Sequence, residues 1–379
     1  MMNRMNEQRT TLTDPMHDMR TQSSEPVTLA DIAKATGFST MTVSNALRGK
    51  PNVSAANREK IRKAAQAMGY QANVAAMMLR NKRSGIIQVV VDDFEVPFHA
   101  RIAKYLTQEA AKFGYQTLVR QSSSSESEEI RAIKPNPGLV CDGIILDAPN
   151  ITEDQVIGHV QGRPVLVIGD CASFERVDSM DTACTDGAAA VVEHLWQQGC
   201  RTFRVLGALR PSGQSEYQDT GKGFGPRRVA AIEQALAGHN ITMTDVQHID
   251  CEWTLEGGYE AVGRMLDDSA WQDDLDAGST PGVICLSDTI ALGALRMLSE
   301  RGVAVPDTVK ITGFDGLLAT KFSNPPLTTV EMDVPTMAHN VIKRMVAMIE
   351  SHSRNEPALP VIHETIPFRI ATRDSSATL

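Results

Sequence analysis

From Gly85 to about residue 349, short apolar runs alternate with longer stretches of helical periodicity, and this alternation constrains the fold more than any other feature. Repeated strand–helix units of this kind bury their apolar faces by forming a parallel sheet covered with helices. The strand candidates are Ile86–Val91, Gln116–Val119, Gly143–Leu146, Val165–Ile168, Phe203–Leu206, Val283–Leu286 and Lys310–Thr312. Between them lie helix candidates at Arg101–Phe113, Ala188–Gln198, Arg228–Ala237, Leu255–Leu266, Ile290–Arg301 and Thr336–Ile349. An open doubly wound sheet binds ligands beyond the carboxyl ends of its strands, so the loops after these runs are the places to search for chemistry.

Those loops carry no nucleotide or catalytic signature. There is no G-x-G-x-x-G after a strand, no P-loop, no G-x-S-x-G elbow and no H-E-x-x-H helix. The six cysteines stand singly, without the spacing of a zinc site. No catalytic residue, metal ligand or cofactor is therefore expected, and the chain reads as a binder rather than an enzyme. The apolar runs are far shorter than the ~18 residues of a membrane span. The polar, Met-rich residues 1–25 read as a disordered tail without an export signal, which predicts a cytoplasmic protein.

The net charge of −9 argues against nucleic acid until it is divided along the chain. Residues 25–84 hold ten Lys or Arg against three acids, whereas residues 85–379 hold 24 bases against 40 acids. A basic head thus precedes an acidic body, and a basic head of +7 is an electrostatic footprint for DNA.

Three helices fit in that head. Thr28 and Asp31 have capping-box spacing, Leu29, Ile32 and Ala33 share one face, and Gly37 sits where a helix would stop. Ser39 can cap a second helix with Val43, Ala46 and Leu47 inward, and Ser54 opens a third through Ile61, Ala64, Ala65 and Met68. The short Gly37-Phe38-Ser39 link between the first two is the turn of a helix-turn-helix, although any three-helix bundle shows similar periodicity.

The stretch VTLADIAKATGFSTMTVSNALRGKPNVS, residues 27–54, resembles the head of the lac repressor family, and Tyr70, Asn73, Ala76 and Leu79 resemble its hinge, with Ala72 where the family has proline. The body resembles the family's periplasmic-binding-protein-like sensor through CLSD at 285–288, ALGA at 291–294, ITGFD at 311–315 and PLTTV at 326–330. The resemblance implies an α/β chain: a helix-turn-helix head at 26–71, a hinge helix at 72–84, and an effector-binding, dimerising domain at 85–379. That domain would comprise two doubly wound parallel sheets in two lobes, about 85–184 with 332–361 and 185–331 with 362–379.

By the same resemblance Thr40, Met41 and Asn45 reach base edges, Thr28, Ser39, Thr42 and Ser44 face phosphates, and Leu79, with Asn73 and Ala76, enters the minor groove at the hinge. Asn45 replaces the family's usual arginine, and its amide suits adenine where a guanidinium suits guanine. Leu79 matches the side chain that wedges between base steps, which requires a second hinge from a partner. The implied effector contacts are Phe98, Asp170, Arg228, Trp253, Ser287 and Asp315, with Arg227 an alternative to Arg228 because the surrounding motif departs from the family's. Carboxylates, a guanidinium and an aromatic face suit the hydroxyls and C–H patch of a carbohydrate.

The expected partners are double-stranded operator DNA, a small-molecule effector of carbohydrate type and a second copy of the chain. No leucine heptad follows the fold, which favours a dimer over a tetramer. Two other readings stay open at this level: a regulator signalled by a protein partner, and an enzyme with a fused DNA-binding head.

Overall fold

The computed structural model describes residues 27–47, 52–70, 83–123, 125–135, 140–147, 150–169, 174–208, 224–244, 247–276 and 280–377. The chain divides into two compact units, Met1–Met77 and Met78–Leu379.

The first unit holds α1 (Leu29–Thr36), α2 (Thr40–Leu47) and α3 (Ala55–Ala67). The capping box at Thr28 forms: the Asp31 carboxylate accepts the Thr28 N–H at 2.8 Å, and Gly37 closes α1 at φ +76°. Ser39 accepts the Thr42 N–H at 3.1 Å and Ser54 accepts the Asn57 N–H at 3.3 Å, so each later helix also starts on a hydroxyl. Ile32, Val43, Ala46, Val53, Ile61 and Ala65 are buried together, the inward stripes meeting as the periodicity requires.

The second unit contains two six-stranded sheets. The first is built from β1 (Ile86–Val91), β2 (Gln116–Gln121), β3 (Gly143–Asp147), β4 (Val165–Gly169), β5 (Asp178–Asp181) and β11 (His363–Thr365). Its order is β11-β5-β4-β3-β1-β2 and every pairing is parallel. The helices threaded through it are α4 (Pro97–Lys112), α5 (Glu126–Ile133) and α6 (Glu153–Val160).

The second sheet comprises β6 (Phe203–Leu206), β7 (His248–Ile249), β8 (Gly282–Cys285), β9 (Lys310–Phe314), β10 (Thr328–Met332) and β12 (Phe368–Ala371), ordered β12-β10-β9-β8-β6-β7. Here the expectation of a purely parallel sheet is corrected, because the edge strand β12 runs antiparallel to β10. The chain reaches β12 directly from β11, with no helix between them to turn it back. The accompanying helices are α7 (Cys184–Gln197), α8 (Phe224–Gly238), α9 (Leu255–Asp267), α10 (Ser269–Asp276) and α11 (Asp288–Glu300), and α12 (Val334–Ser353) follows β10.

Three crossovers join the lobes: between β5 and α7, between β10 and α12, and between β11 and β12. The third falls after Thr365, later than the expected 361, because His363–Thr365 pairs with Ser179–Asp181 of the first sheet. One buried core runs from Ile87, Val89 and Leu106 through Val341 and Met345 to Val205, Val283 and Ile311. Helices α9 and α11 approach until their backbones almost touch: a Cβ on Gly293 would lie 1.9 Å from Leu255 O, and one on Gly258 2.1 Å from Ile290 O. Only glycine permits that separation.

Candidate functional site

In the head, the outward face of α2 presents Thr40, Met41 and the half-buried Asn45. Met41 is 67% exposed, an unusual position for a thioether unless something covers it. Met41 and Asn45 stand one helical turn apart and therefore share a face. Thr28, Ser39 and Thr42 lie at the rim of the same helices, with their hydroxyls engaged in caps. Ser44 departs from expectation. It is 5% exposed and lies with Val43 and Ala46 among the buried residues of α2, rather than on the open face expected of a phosphate contact. Asn73, Ala76 and Leu79 lie outside the described residues.

In the larger unit, the loops after β7, β8 and β9 bring Trp253, Ser287 and Asp315 to the same end of the sheet as Arg228 of α8. Arg228, on the first half of α8, is 1% exposed. Its Nη1 donates to Leu286 O, its Nη2 stands 3.5 Å from Asp315 Oδ1, and its guanidinium lies 3.7 Å from the Phe314 ring centroid. The Trp253 ring stands 5.5 Å from the same guanidinium, and its Nε1 donates to Gly207 O at 3.2 Å. Arg227 points elsewhere, to Asp181 at 3.4 Å and Thr185 at 3.5 Å, which separates the two adjacent arginines by role. Ser287 is the N-cap of α11 and accepts the Ile290 N–H at 3.2 Å.

Asp315 is held at φ +117°, a conformation that costs a non-glycine residue ~1–3 kcal/mol and is retained where the surrounding structure over-determines it. Burial pushes its carboxyl up to about 6, against the opposing pull of Arg228 and then His99. Beside it, Asp288 is raised well above the usual carboxylate range, by burial first and by Asp315 second. Asp288 is nevertheless fully engaged, with Oδ1 accepting from Thr329 Oγ1 at 2.6 Å and Oδ2 from the Leu317 N–H at 2.7 Å.

The first lobe reaches this floor through the opening turns of α4. Arg101 Nη1 donates to Gly316 O at 2.7 Å, a direct link from one lobe to the other. Phe98 is 3% exposed and packs in the hydrophobic core, while Phe94 of the same segment is 46% exposed. Asp170 and residues 209–223 lie outside the described residues. Sequence reasoning missed His99 and Asp147. His99 is buried on α4, and its Nε2 stands 3.8 Å from the fully buried Asp147 carboxylate at the end of β3. Burial raises Asp147 to about 6, opposed by His99. A carboxylate ending an otherwise wholly apolar strand was the available signal.

A helix-turn-helix unit followed by two α/β lobes with a buried ionisable cluster is the architecture of a DNA-binding regulator. Comparison with known proteins agrees. Residues 28–73 match the bacterial regulatory proteins of the lacI family, and residues 192–376 match a periplasmic binding protein-like domain. A transcriptional regulator of the LacI family from Sanguibacter keddieii shares 30% identity at a TM-score of 0.64, across 78% of this chain and all of that one. The transcriptional repressor CytR of Escherichia coli is 29% identical over 307 residues, 80% of this chain and 84% of that protein. The lac repressor dimer bound to operator and an anti-inducer superposes with a TM-score of 0.76 at 21% identity, across 93% of this chain and all of that one. The chain belongs to the LacI family of bacterial regulatory proteins. Its relatives are transcriptional regulators, not enzymes. Among the described residues no helix is long and apolar enough to cross a membrane.

Proposed function

We propose that this chain is a cytoplasmic repressor that binds a pseudo-palindromic operator as a homodimer and changes its grip when a sugar or sugar derivative enters the cleft. The convergence of Arg228, Asp315 and Trp253 on one buried floor carries the reading, since a strained, costly carboxylate beside an aromatic face suits a polyhydroxylated ligand. Linkage supplies the mechanism. A ligand shifts the dimer between DNA-competent and incompetent lobe arrangements only through a difference in affinity for the two. Thr40, Met41 and Asn45 read bases, and the basic head neutralises phosphates.

The test pairs two measurements on the full chain. Salt titration of operator binding should show a loss on the order of a thousandfold between 50 and 200 mM, the slope of ~6 phosphate contacts. Calorimetry against a panel of sugars identifies the effector. Arg228→Lys and Asp315→Asn should then weaken it ~10- to 100-fold, as expected for one charge-assisted contact, while ligand-free operator affinity stays unchanged. Unaltered effector affinity in both variants places the sensing site elsewhere.

A further inference from the structure

The first lobe carries a cavity at the end of its sheet away from the cleft. The cleft lies at the carboxyl ends of the strands, whereas this cavity lies at their amino ends, beside Val165 where β4 begins and Asp178 where β5 begins. Its volume is about 340 Å³, within the range of small-molecule sites. The last turn of α6, the last turns of α12 and residues 356–361 complete its walls. Those walls are fixed in place. Asp178 is buried and takes two bonds from Arg344, Nε to Oδ2 at 2.9 Å and Nη2 to Oδ1 at 3.2 Å. Arg344 also donates to Pro360 O, the Ile362 N–H reaches Asp178 Oδ1 at 2.8 Å, and Ser351 Oγ donates to Pro357 O at 3.0 Å. The irregular segment 356–361 is thus pinned near both ends.

The lining is mostly apolar. Ile157, Val160, Val177, Met348, Leu359 and Val361 border the space, and Ile157 and Val361 are 41% and 44% exposed. Aliphatic side chains left to water at the mouth of an apolar cavity gain from any apolar body that enters it. Charge then selects the sign of the ligand. The acids of the lining are committed, Asp178 to Arg344 and Glu356 to Arg354 at 3.5 Å. Arg176 is likewise answered, by Glu153 at 3.0 Å and by Asp154. Arg163 differs. It is half-buried, and its bonds go to neutral acceptors, from Nε to Val160 O at 3.2 Å, from Nη1 to Cys141 Sγ at 3.3 Å and from Nη2 to Ile133 O. A guanidinium has five N–H donors, so two remain, and among the described residues no acid is in salt-bridge contact with it. A cation so placed gains more from an incoming anion than an exposed, already paired one.

We propose that this cavity is a second ligand site, built for a small organic anion with an apolar body: a carboxylate held by Arg163 and a hydrocarbon tail lying along Ile157, Val177, Met348 and Val361. It is separate in place from the cleft and does not rest on the reading of the cleft. Its chemistry is also different, since a polyhydroxylated ligand would leave hydroxyls unpaired against aliphatic walls.

Methyl-labelled methionine in the full chain supplies the readout by nuclear magnetic resonance, because Met348 lies in the lining and Met348→Leu identifies its signal. Sodium octanoate should shift that signal saturably. Octan-1-ol, which has the tail without the charge, should bind ~10- to 100-fold more weakly, the worth of one charge-assisted contact. Sodium acetate, which has the charge without the tail, should leave the signal in place at the same concentrations. Arg163→Gln should lower octanoate to the affinity of octan-1-ol, and Val361→Trp, a change at an exposed position, should close the mouth to both. Asp315→Asn, a change in the cleft, should bind octanoate as the parent does. The site is overturned if octanoate fails to move the Met348 signal, if Arg163→Gln binds octanoate as tightly as the parent, or if the shift persists in Val361→Trp. Loss of octanoate binding in Asp315→Asn overturns it as well, because the ligand would then occupy the cleft.

Discussion

Asp147→Asn should make the protein more stable, and the gain should depend on pH in a way that identifies its cause. The carboxyl is raised from 3.8 to about 6 by complete burial, so between those values the folded chain holds a proton that the unfolded chain has released. A raised carboxyl loses stability as pH climbs, and the loss is complete above the folded value. At about 1.4 kcal/mol for each pH unit, the ionised side chain costs the fold ~3 kcal/mol at pH 7.5. Asparagine keeps the shape and cannot ionise. Its unpartnered amide replaces an equally unpartnered neutral acid, so the comparison across pH isolates the charge. Urea denaturation followed by tryptophan fluorescence should show the variant ahead by ~3 kcal/mol at pH 7.5, with the gap falling to about half at pH 5.0. A variant no more stable than the parent, or a gap of the same size at both pH values, would refute the claim that Asp147 is a buried charge whose burial outweighs the opposing pull of His99.

Asn45→Arg should change the preferred base at one position in each half-site, with ~1–3 kcal/mol of discrimination, because amide and guanidinium match different major-groove edges; selection of binding sites from a random pool reads this, and identical preferences would remove Asn45 from base recognition. Gly293→Ala should force α9 and α11 apart against the Leu255 carbonyl at a cost of ~1–3 kcal/mol, seen as a lowered melting temperature, and an unchanged melting temperature would show that the helices adjust freely.

What the sequence made legible follows from how strongly each segment advertises its burial. Ile86–Val91 is a β-branched run buried almost throughout, and its limits in the structure are those read from the residues. Asp178–Asp181 gives no such sign, because a strand reading DSMD looks like a turn. It is buried all the same, with Asp178 held by Arg344 at 2.9 Å and by the Ile362 N–H at 2.8 Å, partners nearly two hundred residues away. His248–Ile249 and His363–Thr365 were illegible for a related reason: two or three residues carry no period, and only the neighbouring strand makes them strands. Helix α5 lay hidden in a run of serines and glutamates, although Ser125 caps it through the Glu128 N–H.

The site divides in the same way. Arg228, Trp253, Ser287 and Asp315 were named from family likeness, and the fold brings them together without any local pattern having required it. His99 and Asp147 belong to no motif. Their meaning comes from burial and from an approach across 48 residues, which only the sheet and its covering helix create.

The threading of the two sheets sets an order of events during synthesis. The three helices of the head are complete once Tyr70 has emerged, and among the described residues their core uses nothing beyond that point. Neither lobe can be finished so early, because each takes an edge strand, β11 or β12, from the stretch 363–371. A ribosome therefore displays a complete helix-turn-helix head for nearly three hundred codons before either lobe of the body has its last strand, and a message broken in that interval yields heads detached from any finished lobe.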